Sequence, residues 1–330
     1  MKITVIGGGS WGLGLSKVLT DNHHDVLVYD IDAKIVEKIN TLHICIQLNE
    51  DIPESIRATT DLTEAVNHAH VLLFVVPTKV LRVALADVIT HLDEPKLFVN
   101  AAKGIEPDTF KRVSEIFTEM VPPQYFEGYV ALSGPSHAEE VIRGMTTLIT
   151  SASENEAHAT YVQNLLHNRD YFRVYSSTDL IGAELGGALK NIFALAAGLL
   201  RGQGLGDNAT AALVCRGLVE MGKIYEHFGA TQDSLMGLTG VGDLIVTCTS
   251  PHSRNFQAGY KIGKGKDLHE TLDSMTMVVE GIRTCEAAHR LSHEHGLDTP
   301  IIDAIYDVVF NRVEPQKAYD KLLSRDQKPE

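Results

Sequence analysis

The chain is poor in cysteine and tryptophan and has no long uninterrupted apolar run. It holds four cysteines, none in C-x-x-C spacing, and one tryptophan among 330 residues. Without that spacing, in an intracellular chain of this length, we interpret the thiols as reduced and mostly packed in the core. The longest apolar run, residues 192–200, is far shorter than the ~20 residues that a membrane span needs. We therefore expect no membrane insertion.

Basic residues are outnumbered by acidic ones, 29 to 43, which gives a formal net charge of −14. Such a surface repels phosphate backbones and anionic lipids, so we expect no nucleic-acid partner. An anionic substrate would need a local basic pocket. The N-terminal residues lack the apolar stretch of a signal peptide, so a cytoplasmic protein is expected. The 44% share of hydrophobic residues is that of a globular protein.

The first half of the chain alternates strand and helix patterns. Most of its short β-branched runs are separated by amphipathic stretches such as 78–91 and 108–120. The predicted strands are 2–6, 25–29, 56–60, 71–76, 96–100, 129–132 and 147–150, with a further strand-like run at 172–177. The run 71–76 is apolar throughout, as in parallel strands that are buried on both faces. The pattern predicts an α/β, Rossmann-type doubly wound domain.

The pattern changes near residue 178. Beyond that point apolar residues recur at helical spacing almost to the end of the chain. We therefore predict a dinucleotide-binding domain over 1–178 and an all-α domain over 179–330 that binds the substrate and carries out catalysis.

A glycine-rich loop follows the first predicted strand. The sequence GGGSWG (residues 7–12) satisfies G-x-G-x-x-G and precedes a predicted helix. In this motif the first glycine permits the tight turn, the second lets the backbone approach a pyrophosphate, and the third allows close packing of helix on strand. The helix N-terminus then faces the phosphates. We predict a dinucleotide site with Gly7, Gly9 and Gly12; the alternative is a tight turn without a ligand.

Asp30 ends the second predicted strand and is followed by Ile31 rather than by a basic residue. Its carboxylate can accept hydrogen bonds from the adenosine ribose and would repel a 2′-phosphate. We therefore expect NAD(H) to be favoured, with NADP(H) as the alternative cofactor. Asp30 as an ordinary solvated acid is the competing interpretation.

Lys190 stands inside a strongly apolar helical pattern, residues 182–200. A lysine there is costly unless it is paired or functional, and a positioned acid would assist reduction of a carbonyl. The residues predicted to share its face are small or short, and we expect them to leave room for a ligand; they are Gly186, Gly187, Asn191, Ala194 and Ala197. The alternative is that the small residues allow close helix packing and that Lys190 reaches solvent.

Three further segments offer polar groups. The loops NAAKG (100–104) and SGPS (133–136) each follow a predicted strand, where open α/β sheets bind ligands. In the second half, Asp243 could orient the lysine or bond a substrate hydroxyl, and Arg254 in SRN (253–255) could grip a phosphate. Each segment could instead be an ordinary polar loop.

Seven motifs occur in order and cover nearly the whole chain. They are GGGSWG (7–12), NAAKG (100–104), SGPS (133–136), LGGALKN (185–191), GVGDL with TCTS (240–250), SRN (253–255) and VEG (279–281). Together they resemble the motif set of the bacterial-type NAD(P)-dependent glycerol-3-phosphate dehydrogenases. The resemblance implies a second domain like that of 6-phosphogluconate dehydrogenase, a homodimer, and interconversion of sn-glycerol 3-phosphate and dihydroxyacetone phosphate for phospholipid synthesis.

The resemblance also implies roles for individual residues. Lys190 becomes the proton donor or acceptor, and Lys103 a second catalytic residue that contacts both cofactor and substrate. The other residues implied at the glycerol-phosphate site are Gly134, Ser136, Asp243, Ser253, Arg254 and Asn255. The other residues implied at the cofactor are Ser10, Trp11, Ala138, Arg254, Val278 and Glu280.

The chain departs from the family pattern at several positions. Ile31 stands where many members carry a basic residue, which places NADP use in doubt. Gly14 replaces a common alanine, and His137, where an aromatic residue is frequent, is expected to serve packing. Rival functions are a reductase of a hydroxy acid or sugar acid and a non-catalytic NAD(H) sensor. No metal site is predicted, because we interpret the fifteen histidines as lacking ligand spacing and 293–295 as solvated surface.

Overall fold

A computed structural model describes residues 1–106, 109–275 and 279–326. The chain divides into two units: Met1–Lys103 with Lys111–Glu184, and Gly104–Phe110 with Leu185–Glu330. The first unit thus ends at Glu184 rather than at the predicted boundary of 178. The reason is that Leu180 and Ala183, in the first turn of a long helix, pack into the apolar core of the first unit.

The first unit is built on one large sheet. Its strands, with a separate two-stranded pair β3–β4, are β1 (Lys2–Ile6), β2 (Asp25–Tyr29), β3 (Ile44–Cys45), β4 (Glu50–Asp51), β5 (Arg57–Thr59), β6 (Val71–Phe74), β7 (Lys96–Asn100), β8 (Phe126–Ser133), β9 (Thr147–Ala152) and β10 (Phe172–Ser177). The order in the large sheet is β10-β9-β8-β7-β6-β1-β2-β5. All its described strand pairs are parallel except β8–β9, which is antiparallel.

Apolar cores flank both faces of this sheet. One contains Val5 and Leu15, and the other contains Phe74, Phe98 and Phe117. The rings of Phe74 and Phe117 meet edge to face with centroids 5.0 Å apart. Burial on both faces explains why the strand sequences are continuously apolar, and it confirms the predicted doubly wound domain.

Helices connect the strands of the first unit. They are α1 (Ser10–Asp21), α2 (Ala33–Leu42), α3 (Leu62–His68), α4 (Thr78–Ile89), α5 (Val113–Met120), α6 (Ala138–Val141) and α7 (Glu156–Leu166), with a 3₁₀ turn at Pro123–Tyr125. Side-chain caps fix several of their starts. The carboxylate of Asp61 accepts from the N–H groups of Thr63 and Glu64, and Asn155 accepts from the N–H of Ala157.

The second unit is helical, as predicted. Its helices are α8 (Leu180–Gly202), whose first turn lies in the first unit, α9 (Asp207–Phe228), α10 (Gln232–Met236), α11 (Asp243–Thr249), α12 (Arg254–Gly263), α13 (Leu268–Asp273), α14 (Glu280–Glu294), α15 (Pro300–Val309) and α16 (Pro315–Leu323). A π-helical turn, Leu238–Gly242, runs directly into α11. A Cβ at Gly240 in this turn would lie 2.0 Å from the Leu235 carbonyl oxygen, so the turn requires glycine there.

Helix α8 is longer and more continuous than the apolar run 192–200 suggested. Among the described residues it is the one helix long and apolar enough to cross a membrane by length and composition. However, 94% of its apolar window is buried inside the protein. This is the arrangement of a core helix, whose apolar surface is covered by protein.

Candidate active site

The glycine loop between β1 and α1 has the geometry that its sequence predicts. Gly7 has a φ of +118°, and a Cβ there would lie 2.7 Å from the Val75 carbonyl oxygen. A Cβ at Gly12 would lie 1.9 Å from the Gly7 carbonyl oxygen, whereas a Cβ at Gly9 would meet no atom within 4 Å. Gly7 and Gly12 are therefore required by the loop itself, and the backbone at Gly9 is left open to a ligand. These features fit the pyrophosphate of a dinucleotide.

Asp30 lies beside this loop at the end of β2. One carboxylate oxygen accepts a 2.7 Å hydrogen bond from the N–H of Gly8, and the other accepts a 2.9 Å bond from the N–H of Asp32. The carboxylate is thus fixed in position, and each oxygen retains capacity to accept a further bond from a ribose hydroxyl. The neighbouring Ile31 is 87% exposed. Because isoleucine is uncharged, this position supplies no positive charge for a 2′-phosphate.

Ser10 and Trp11 open helix α1. Gly9, before them, offers no capping side chain to the first turn. Trp11 is partly buried against the apolar core. Ala138, the first residue of α6, is also buried, and α6 packs against α1. The predicted cofactor residues of this region are therefore neighbours on two packed helices, next to the glycine loop.

Lys103 and the SGPS turn are brought together at the carboxyl ends of β7 and β8. The Nζ of Lys103 donates a 2.9 Å hydrogen bond to the Gly134 carbonyl oxygen, and Ser136 Oγ donates to the same oxygen at 2.9 Å. Gly134 has a φ of +137°, a conformation that side chains rarely adopt. Asn100, before this lysine, holds the loop by bonding both the N–H and the carbonyl of Ala102.

Lys190 and Asp243 form a buried ion pair in the helical unit. Lys190 Nζ, in the middle of α8, donates to Asp243 Oδ1 at the start of α11. Their side chains are only 9% and 1% exposed. Thr247, one turn along α11, donates its hydroxyl to the Asp243 carbonyl oxygen at 2.5 Å and lies 3.4 Å from Oδ1. The lysine therefore does not reach bulk solvent, and its ammonium is held next to a carboxylate.

A chain of amides joins three helices near this pair. Asn191, next to the lysine on α8, accepts a 2.9 Å hydrogen bond from Nδ2 of Asn255 on α12. The Asn255 Oδ1 in turn accepts a 2.8 Å bond from the N–H of Gly281 on α14. Both ends of the Asn255 amide are thereby used, which fixes its orientation without ambiguity.

The other predicted residues of the second unit lie at helix starts. Ser253 is buried and caps α12 by accepting a 3.2 Å bond from the N–H of Phe256. Arg254, the first residue of α12, is exposed. Glu280 is the half-buried first residue of α14, and Val278 lies outside the described residues.

The small residues of α8 serve close packing, and the predicted open face is wrong for Gly186. A Cβ at Gly186 would lie 2.2 Å from the Thr239 carbonyl oxygen. Ala194 and Ala197 on the predicted face are fully buried as well. Elsewhere α8 meets α12 backbone to backbone: a Cβ at Gly198 would lie 2.0 Å from the Phe256 oxygen, and one at Gly259 would lie 1.9 Å from the Leu195 oxygen.

The cysteines confirm the prediction of free, mostly buried thiols. Cys45, Cys248 and Cys285 are buried, but Cys215 is exposed. Burial raises the pKa of Cys248 to about 12, although the Lys190 charge acts in the opposite direction. This thiol, adjacent to the ion pair, is therefore protonated and inert at neutral pH.

Sequence reasoning missed a buried polar network around Glu184, in the first turn of α8. Its carboxylate accepts hydrogen bonds from Ser114 N–H at 2.8 Å, Ser114 Oγ at 2.5 Å, Tyr129 OH at 3.0 Å and Arg112 Nη1 at 3.2 Å. Burial raises the pKa of Glu184, and the bonds from Ser114 and the charge of Arg112 oppose that shift. The available signal in the sequence was Glu184 itself, a single acidic residue within an apolar helical pattern.

The prediction that the histidines lack ligand spacing also overlooked one pair. His289 and His293 lie one turn apart on α14, and both ring systems contact Asp303 on α15. Their three ligand atoms lie within 4.8 Å of one another. The i,i+4 spacing of the two histidines was visible in the sequence, but the proximity of the Asp303 carboxylate was not.

A dinucleotide-type glycine loop on a doubly wound sheet, with a buried lysine–aspartate pair in a helical unit, defines a nicotinamide-dependent dehydrogenase with a helical second domain. Two family models match the chain. That for the N-terminus of NAD-dependent glycerol-3-phosphate dehydrogenase matches residues 2–159, and that for the C-terminus matches residues 179–320. The chain belongs to the NAD-dependent glycerol-3-phosphate dehydrogenase family.

Relatives match over the full length. A glycerol-3-phosphate dehydrogenase [NAD(P)+] of Acholeplasma laidlawii is 46% identical over 331 aligned residues, covering 100% of this chain and 99% of the relative. One from an Exiguobacterium species is 49% identical, covering 100% of this chain and 97% of the relative. The crystal structure of glycerol-3-phosphate dehydrogenase from Coxiella burnetii is 31% identical, with a TM-score of 0.91 over 98% of this chain and 99% of that one.

Proposed function

We propose that this protein interconverts sn-glycerol 3-phosphate and dihydroxyacetone phosphate with NAD(H) or NADP(H), and so supplies glycerol 3-phosphate for glycerophospholipid synthesis. The observation that carries the proposal is the buried Lys190–Asp243 pair in a chain that matches glycerol-3-phosphate dehydrogenases from end to end. Burying two charges costs free energy, so a buried ion pair indicates a functional role. Acid–base chemistry at a ketone or alcohol is such a role.

Lys190 is proposed as the acid–base residue. Its ammonium donates a proton to the substrate oxygen during ketone reduction, and the neutral amine takes one from the hydroxyl during alcohol oxidation. Asp243 keeps the ammonium in place through their hydrogen bond, and Thr247 steadies Asp243. In this role Asp243 can also accept a bond from a substrate hydroxyl.

Substrate contacts are proposed, from the family resemblance, for residues of each unit taken separately. In the first unit these are Lys103, Gly134 and Ser136, and both the lysine and the serine donate to the Gly134 carbonyl oxygen. In the second unit, Arg254 neutralises the phosphate, flanked by Ser253 and Asn255. The forked donors of arginine suit a phosphate dianion better than a single ammonium does. Such cations provide the local positive charge that an anionic substrate needs on a protein of net charge −14.

The cofactor is proposed to lie on the glycine loop. Gly7, Gly9 and Gly12 shape that loop, Ser10 and Trp11 open the helix after it, and Asp30 receives the ribose. The remaining contacts, proposed from the family resemblance, are Lys103, Ala138, Arg254, Val278 and Glu280. A nicotinamide held there would supply the hydride donor or acceptor for C2 of the substrate. The exposed Ile31 beside Asp30 supports a preference for NAD(H).

We also propose that the protein works in the cytoplasm as a homodimer. The burial of α8 inside the protein supports the proposed location, because this apolar helix is covered by protein rather than by lipid. Sedimentation equilibrium at micromolar concentration tests the dimer. A monomer mass at the highest concentration would contradict it.

A spectrophotometric assay tests the activity. Oxidation of NADH and of NADPH is followed with dihydroxyacetone phosphate, and in parallel with a panel of keto acids. We expect turnover with dihydroxyacetone phosphate and a higher kcat/KM with NADH than with NADPH. Turnover only with keto acids would favour the hydroxy-acid rival.

A Lys190→Ala variant separates catalysis from cofactor binding. The variant should bind NADH, as measured by nicotinamide fluorescence, and lose about 10²–10⁴-fold in kcat. Cofactor binding without turnover by the unmodified protein would favour the sensor. Normal turnover by the variant would overturn the role of Lys190.

A further inference from the structure

Two histidines and an aspartate converge on the surface of the helical unit, in a cluster that the proposed activity does not use. His289 Nδ1 lies 2.9 Å and His293 Nε2 lies 3.2 Å from Oδ1 of Asp303. The histidines are one helical turn apart on α14, so their side chains share a face. Asp303 lies in the first turn of α15. The three donors therefore come from two helices and meet at one point.

The donor set has the chemistry of a transition-metal site. Imidazole nitrogen with one carboxylate oxygen suits Zn²⁺, Co²⁺ or Ni²⁺, whereas Mg²⁺ and Ca²⁺ prefer oxygen-only shells. Tetrahedral coordination with bonds of about 2.0–2.1 Å places neighbouring donors about 3.4 Å apart. The two histidine–aspartate separations of 2.9 and 3.2 Å are shorter than this by a few tenths of an ångström, and all three ligand atoms lie within 4.8 Å of one another.

The surroundings hold one ligand in place and leave another accessible. The His289 side chain is 20% exposed, and its ring stacks on Tyr306 with centroids 3.8 Å apart and planes 11° apart. His293 is 62% exposed, which gives an ion a direct approach from solvent. The strongly acidic surface of the protein raises the local concentration of cations.

We propose that His289, His293 and Asp303 bind one divalent transition-metal ion of the zinc class, which clamps α14 to α15. The fourth position is taken by water, so the site is open. The bound ion stabilises the folded helical unit, because it binds the assembled cluster more tightly than the unfolded chain. Neither Lys190 nor the glycine loop takes part.

Isothermal titration of the EDTA-treated full-length protein with ZnCl₂ tests the site. We expect one saturable ion, with a rise in melting temperature on addition of ZnCl₂. Replacement of Zn²⁺ by Co²⁺ should give the visible absorption of a low-symmetry, four-coordinate cobalt site. His293→Asn should weaken binding by about tenfold or more. Because this side chain is mostly exposed, its replacement leaves the fold intact.

Two further variants complete the test. Asp303→Asn removes the ligand from the other helix and should weaken binding in the same way. His269→Asn removes an exposed histidine outside the cluster and should bind as the unmodified protein does. Absence of saturable Zn²⁺ binding would overturn the proposal. So would unchanged affinity in both His293→Asn and Asp303→Asn, since the ion would then sit at other histidines.

Discussion

Replacing Lys190 by methionine should damage stability and catalysis by separable mechanisms. The change keeps an unbranched chain of similar length and removes the ammonium. Asp243, whose side chain is 1% exposed, then loses its cationic partner in the protein interior. Breaking a buried pair in this way costs about 3–5 kcal/mol of unfolding free energy. Catalysis should fall about 10²–10⁴-fold, because the proton donor is gone.

The double variant Lys190→Met/Asp243→Asn distinguishes the two effects. Replacing the carboxylate by an amide of the same shape removes the buried charge that Lys190 had balanced, so most of the lost stability should return. Activity should not return, because no ammonium is present. Urea unfolding followed by circular dichroism measures the first quantity, and dihydroxyacetone phosphate reduction measures the second.

The reasoning is refuted if Lys190→Met is as stable as the unmodified protein, or if the double variant recovers turnover.

Four other changes, one of them with an exposed control, test further features of the protein. Gly12→Ala should unfold the loop and abolish NADH binding, because the new methyl would lie 1.9 Å from a carbonyl oxygen. In contrast, a methyl at Gly14 has its nearest contact at 3.6 Å, so Gly14→Ala should raise the stability measured by thermal unfolding by up to about 1 kcal/mol. Ile31→Arg should raise kcat/KM for NADPH about tenfold by pairing with the 2′-phosphate, and an unchanged cofactor ratio would count against the role given to this position. Burial raises the pKa of Glu220 to about 7, above the ordinary value of 4.5. Between these pH values the unfolded chain loses the proton while the folded protein keeps it, so the unfolding free energy falls by roughly 3 kcal/mol as the pH rises. The unfolding free energy of Glu220→Gln should therefore rise relative to that of the unmodified protein as the pH rises. Glu226→Gln, an exposed control on the same helix, should show no such rise.

Features encoded in short stretches of the sequence were predicted well. The glycine loop was predictable because the spacing of the motif records fixed backbone requirements, such as the positive φ of Gly7 and the 1.9 Å approach of a Gly12 Cβ to the Gly7 carbonyl oxygen. The strands were predictable because burial on both faces demands continuous apolar runs. The antiparallel direction of β9 was not predictable, because an alternation of β and α patterns does not specify which way the chain re-enters a sheet.

Features that depend on distant partners were harder. The small residues around Lys190 suggested open space, yet small residues are equally what a close helix contact needs. Only the presence of the Thr239 backbone against Gly186 decides between the two. In the same way His289 and His293 are visible as a pair along one helix, while Asp303 reaches them only through the fold.

The contact between α8 and α12 has a consequence for engineering. Gly198 and Gly259 place the two main chains against each other, with no side chains between them to resize. The crossing is therefore a fixed joint: it cannot be widened gradually by exchanging larger and smaller residues. Any redesign of the helical unit should therefore keep Gly198 and Gly259, because a side chain at either position would force the two main chains apart.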